Sequence, residues 1–152
     1  MAFTGMLMLA LASCDQSAVY KEYQDLSDNL EWRRSDVRQF EYEVTENNSP
    51  YDTYVAFRHA VGFPYREMHI RVEETGPGGE VSKKDVIIPI RNENGEWTGK
   101  ADGDIVDIEY ALERNRTFRT WGKYSYRVTH TMPMDTVHLA MEVGLVIRKK
   151  SE

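Results

Sequence analysis

A single cysteine, Cys14, stands in the 152-residue chain, so no intramolecular disulfide can brace it and stability must come from a packed core. Long apolar runs are missing too. The most extended, residues 6–12 (MLMLALA), falls well short of the roughly 20 residues that a membrane-spanning helix needs. Positive charge is in deficit, with 19 Lys and Arg against 25 Asp and Glu and a net charge of −6. Such a field repels a polyanion and argues against nucleic acid as a partner. No nucleophile elbow, zinc motif or glycine-rich phosphate loop occurs. Carboxylates are plentiful, but no spacing singles out the facing pair that glycoside hydrolysis requires, so a small hydrolase ranks behind any binding role.

What the chain does have is 41% hydrophobic and 29% charged residues, enough apolar material for one folded domain and too much for a disordered tail. Nine Tyr and three Trp favour strands, interfaces and stacking surfaces over helices.

Residues 1–13 carry no charged side chain, and their short apolar stretch suits the h-region of an export signal. It ends in Leu11-Ala12-Ser13-Cys14, which resembles the lipobox of bacterial lipoproteins. The resemblance implies a lipoprotein signal peptide over residues 1–13 and a mature chain whose Cys14 thiol carries diacylglycerol, an anchor of the palmitate type. With no second apolar run, membrane attachment is expected through lipid alone. Residues 14–36 are expected to form a lipid-anchored tether and lead-in segment. Its Tyr20, Tyr23, Leu26, Leu30 and Trp32 are spaced irregularly and suit a short helix or a lone edge strand equally.

From there to residue 150 the two-residue alternation of strands takes over. Phe40, Tyr42 and Val44 alternate with Glu41 and Glu43; Thr53, Val55 and Phe57 follow the turn-forming Asn47-Asn48-Ser49-Pro50. Met68, Ile70 and Val72 alternate with His69, Arg71 and Glu73. Gly76-Pro77-Gly78-Gly79 reads as a hairpin turn, Val86-Ile87-Ile88 as a more deeply buried strand, with Pro89 marking an edge or bulge, and Asn92-Glu93-Asn94-Gly95 as a further turn. Val106, Ile108, Tyr110 and Leu112, then Tyr124, Tyr126, Val128 and His130, and finally Val143, Leu145 and Ile147 complete the set. The pattern predicts an all-β domain over residues 37–150, an antiparallel, jelly-roll-like β-sandwich of about seven to eight strands.

Several segments, in this order, resemble the GldH family of gliding-motility lipoproteins. They run from Val19-Tyr20-Lys21-Glu22-Tyr23 to Trp32, then Tyr51 to His59 and Phe63-Pro64-Tyr65. The loop from Gly95 to Ile105, the stretch Gly122 to His130 and the stretch Glu142 to Lys149 follow. The resemblance implies a lipoprotein required for surface gliding and linked to the type IX secretion machinery. It brings no catalytic residue and no cofactor beyond the covalent lipid.

Three constellations remain. Asp102, Asp104 and Asp107, with Gly99 and Gly103, offer oxygen ligands of the kind calcium takes, although tight turns use the same residues. The structural turn is preferred, and Gly103 is expected at φ > 0. His130, Met132 and Met134 alternate as soft ligands suited to Cu(I), against the simpler reading of a strand end and its turn. Trp97 and Trp121 both sit by glycines in loops. They are expected to fold back onto the sandwich; exposed, each would serve as a partner contact or a sugar-stacking platform. Arg148-Lys149-Lys150 reads as a solvated tail. The leading expectation is a non-enzymatic, lipid-anchored envelope protein, at the outer membrane, that docks other gliding and secretion lipoproteins. The alternative is a surface carbohydrate-binding module.

Overall fold

The computed structural model describes residues 17–46 and 48–150, and every regular element among them is a strand. In chain order they are β1 (Ala18–Asp25), β2 (Glu31–Arg33), β3 (Arg38–Val44), β4 (Pro50–Ala60), β5 (Glu67–Thr75), β6 (Val81–Pro89), β7 (Lys100–Asp102), β8 (Ile105–Thr117), β9 (Gly122–His130), β10 (Thr136–His138) and β11 (Ala140–Lys149). The seven strand segments read from the sequence become β3, β4, β5, β6, β8, β9 and β11. On β9, Tyr124, Tyr126, Val128 and His130 are buried and the residues between them turn outward. Successive side chains of a strand leave on opposite faces, so one alternating set supplies one dry face.

Two antiparallel sheets result, in the orders β1-β11-β4-β8-β7 and β3-β9-β5-β6, and β2 and β10 form a separate short ribbon. Counting only the eight long strands, the sheets run 1-8-3-6 and 2-7-4-5, the wrapping of a jelly roll. The inner faces share one core, in which Phe57, Val143, Leu145 and Ile147 of one sheet meet Phe40, Met68, Ile70 and Val128 of the other. The sandwich expectation holds, with the three-residue strands β2, β7 and β10 added to it.

Two details differ from the sequence reading. The lead-in segment expected up to residue 36 contains β1, which lies along β11 at the edge of the larger sheet, Lys21 opposite Val146 and Asp25 opposite Glu142. Among the described residues the first strand begins at Ala18, and of the two conformations left open for this segment the edge strand is realised. Tyr20 points inward against Tyr42, ring centroids 5.7 Å apart, while Tyr23 lies outside over Gly144. Both faces of β1 carry an aromatic ring, which erased the simple period. The second difference is β6. Val86 and Ile88 are buried, but Ile87 is 51% exposed. The strand is an edge with an alternating pattern, and Pro89, which has no N–H to give a ladder, closes it.

Aromatic plugs close both ends of the core. At the end where β1, β4 and β9 begin, Phe118 packs its ring 4.8 Å from Tyr124 and 5.4 Å from Tyr51, with the Arg116 guanidinium 4.3 Å above it. At the other end Trp32 is fully buried against Phe57 and His130.

His59 and His130 are both buried, and each spends one ring nitrogen on a backbone carbonyl, Ala60 at 2.8 Å and Asp135 at 3.1 Å. Burial holds both imidazoles below the usual histidine pKa of 6.5, although those carbonyl bonds oppose the shift. The unfolded chain then binds more protons than the folded one below about pH 6.5, so stability falls as pH drops from there toward the folded values. Melting temperatures measured from pH 7.5 to 5 should decline below this point, and less steeply in His59→Phe. An unchanged slope in that variant would remove His59 from the account.

Candidate functional site

A hollow lies on the outer face of the five-stranded sheet. It is an open groove of about 610 Å³ lined by Tyr23, Arg58, Gly99, Lys100, Asp107 and their neighbours. Residues of β1, β4, β7 and β8 line it, brought side by side on the outer face of the sheet. Arg58 is its hub. Its Nε donates to Asp107 Oδ1 at 2.5 Å, its second arm pairs with Glu142, and the guanidinium sits 5.3 Å from the Tyr23 ring. The hydrogen bond to Asp107, reinforced by both carboxylates, keeps Arg58 above its already high pKa. Burial, then the nearby carboxylates Glu109 and Asp107, push the Tyr23 phenol up to about 12. The phenol stays neutral and the arginine charged at any physiological pH. The groove thus holds an ion cluster centred on Arg58 beside an aromatic face. Sequence reading missed it because Arg58 meets partners 49 and 84 residues away, and no local pattern announces such a pair.

Asp107 therefore faces Arg58, and the three aspartates weighed for calcium do not converge. Asp102 and Asp104 flank Gly103 in the two-residue turn that lets Asp102 pair with Ile105. Among the described residues no group of three or more His, Cys, Asp or Glu is arranged to hold a metal ion. Gly103 has φ = +58°, as a hairpin with glycine at the first central position requires. Gly103→Val should cost about 1–3 kcal/mol of stability through backbone strain. Asp102→Asn and Asp104→Asn should stay within about 0.5 kcal/mol, as surface changes do. Thermal melts with and without calcium check this, and a calcium-dependent rise lost in the aspartate variants would overturn the structural reading.

The two loop tryptophans part company. Trp97 folds back and is half-buried, its ring 5.0 Å from His59 and the Arg91 guanidinium 3.4 Å over it. The Asn92 turn creates this stack: the Asn92 side chain accepts the Glu96 amide at 2.9 Å, and Arg91 pairs with Trp97 across it. Trp121 does not fold back. It is 62% exposed, contrary to expectation. In residues 118–121 the inward space is taken by Phe118, and the Thr120 carbonyl accepts the Tyr124 hydroxyl at 3.1 Å, so the indole is left outside.

The soft-ligand set is dispersed by its own contacts. His130 is bonded to Asp135, Met132 is buried with its sulfur 3.3 Å from the His69 amide, and Met134 packs at the margin of the core. At the C-terminal end Arg148 pairs with Glu109 at 2.7 Å and Lys149 with Glu46 at 2.7 Å. Cys14 and the signal segment over residues 1–13 lie outside the described residues.

Comparison with known proteins agrees with this picture. The model of the family described as GldH lipoprotein matches residues 18–147, from the first residue of β1 nearly to the end of β11. The gliding motility lipoprotein GldH homolog of Christiangramia forsetii is 26% identical over 125 residues, covering 82% of this chain and 75% of that protein. The gliding motility lipoprotein GldH of Flavobacterium johnsoniae is 24% identical over 128 residues, covering 82% and 78%. This chain belongs to the GldH family of gliding-motility lipoproteins.

Proposed function

We propose that the protein is an outer-membrane-anchored, non-enzymatic component of the gliding apparatus. It is associated with type IX secretion, with Cys14 carrying the lipid and other gliding and secretion lipoproteins as partners. The observation that carries the docking role is the bare indole of Trp121. It projects from residues 118–121 at the end of the sandwich where β1 begins. Only three residues separate Cys14 from Ala18. A chain that short reaches at most about 14 Å. A lipidated Cys14 keeps this end of the domain close to the bilayer, where neighbouring lipoproteins are also held. A large, rigid side chain that the fold leaves uncovered is the usual energetic anchor of a protein contact.

Trp121→Ala should leave the melting temperature unchanged, because the ring covers little of the core. The same variant in cells should lose gliding and the co-purification of envelope partners, with affinity falling about 30-fold for a 2 kcal/mol hot spot. Retention of partners and motility would refute the docking role of this residue. Saturable quenching of its fluorescence by a polysaccharide would replace docking with carbohydrate binding. Membrane fractionation and protease treatment of intact cells test the outer-membrane placement.

A further inference from the structure

The edge strand β6 is self-complementary about Lys84. Its one neighbour among the described residues is β5, and the nine-residue register between them runs from Glu67–Pro89 to Thr75–Val81 without a bulge. Natural edges are commonly blunted by bulges, and the rim of β8 is, with two register shifts and Asn115 at φ = +55°. On the far side of the sandwich the edges β1 and β3 are tied together, the Gln24 amide donating to the Gln39 carbonyl at 2.7 Å. The rim of β6 is tied to β8 through its inner face, where the Lys84 ammonium donates to the Leu112 carbonyl, and its outer face stays open. Its outward face reads Val81, Lys83, Asp85, Ile87, and the two apolar members are 55% and 51% exposed.

We infer that β6 pairs antiparallel with β6 of a second copy, on a two-fold axis through Lys84, to make one continuous sheet. Directly opposed residues in an antiparallel ladder share a face. With the axis at Lys84, Val81 meets Ile87 of the second copy and Lys83 meets Asp85 of the second copy, each twice by symmetry. No neighbouring axis does this. Moved one residue either way, it sets Lys83 against Lys83 or Asp85 against Asp85.

Charges already in place on the sheet continue across the junction. Arg127 lies 3.6 Å from Glu73, Glu73 3.1 Å from Lys83, and Asp85 2.7 Å from Arg71. Joining Lys83 to Asp85 of the second copy makes this an unbroken alternation from Arg127 of one copy to Arg71 of the other. The two Lys84 side chains, which would repel on the axis, lie on the inner face, where each ammonium donates to the Leu112 carbonyl of its own copy. Pro89 falls outside the paired stretch, where its missing N–H costs nothing.

The test uses the full-length chain, in cells and purified in detergent. Lys84→Cys places a thiol on the axis, where the Cα separation of opposed strands, about 4.5–5.5 Å, suits a disulfide. Oxidation should yield a dimer on non-reducing gels that is absent from wild type, whose one cysteine is Cys14, and from an Asn94→Cys control. Adding Val81→Glu should reduce that dimer about tenfold, because the change enters twice by symmetry. Adding Ile87→Lys to that variant should restore it, because the two new charges face each other across the axis. Purified wild type should sediment as a dimer and Val81→Glu as a monomer, a reading independent of any effect of Lys84→Cys on folding. A wild-type monomer, a disulfide product containing another protein in place of a second copy, or dimers indifferent to Val81→Glu would each overturn the inference.

Discussion

Trp32→Ala is expected to lower the unfolding free energy by about 3–5 kcal/mol, against the roughly 5–15 kcal/mol that a domain of this size commands. Trp32 is fully buried although its strand, β2, is three residues long and pairs with β10 alone. The indole therefore fastens the β2–β10 ribbon to the sandwich. It packs 6.4 Å from Phe57 and 5.5 Å from His130, and its N–H donates to the Asp36 carbonyl at 2.9 Å. Removing it opens a cavity lined by both sheets and leaves that carbonyl without its donor. Trp32→Phe keeps most of the volume and loses only the hydrogen bond, so it should cost less than half as much. Denaturant titration of both variants is the check, and a loss below about 1 kcal/mol for the alanine would show that the ribbon is held by other contacts.

The second large effect concerns the ion pair at the opposite end. Arg116 is held by both oxygens of Glu74, with one bond of 2.6 Å, and its side chain is 20% exposed against 17% for the partner. The guanidinium also covers the Phe118 and Tyr124 rings. Glu74→Ala leaves a mostly buried cation with the half-exposed Glu113, 3.0 Å away, as its remaining carboxylate partner and should cost about 3 kcal/mol, the lower end of the range because that partner and some solvent remain. The double replacement Glu74→Leu with Arg116→Met removes both charges and refills the space, and should come within about 1 kcal/mol of wild type. Thermal and urea melts separate these outcomes. Equal losses in the single and double variants would mean that Arg116 stabilises through its ring contacts rather than through the salt bridge.

These two sites differ in how far the sequence announced them. The strand carrying Glu74 was legible, since Met68, Ile70 and Val72 alternate with polar neighbours, but its pairing with Arg116, 42 residues on, was not. Trp32 was noticed as one of several irregularly spaced aromatics and gave no sign of its burial. Periodicity works where one face of a strand is wet and the other dry. It fails on β1, where Tyr20 is needed inside and Tyr23 outside, and on short strands such as β2 that show less than one full alternation. The tryptophans expose the same limit. Trp97 and Trp121 have similar local settings, with glycines beside both, yet one packs against His59 and Arg91 and the other stands in solvent.

By itself, then, the sequence determined seven of the long strands, the dry faces of those that alternate, the turn at Gly103 and membership of the family. Each depends on residues within a few positions of one another, or on their order along the chain. Alternation follows from the geometry of a single strand, and a turn from the dihedrals of two residues. Only the tertiary structure decided the jelly-roll order, the gathering of Tyr23, Arg58, Asp107 and Glu142 on one outer face, the edge position of β6 and the exposure of Trp121. Those depend on which distant segments the wrapped chain brings together, and on whether another side chain, such as Phe118, has already filled the space.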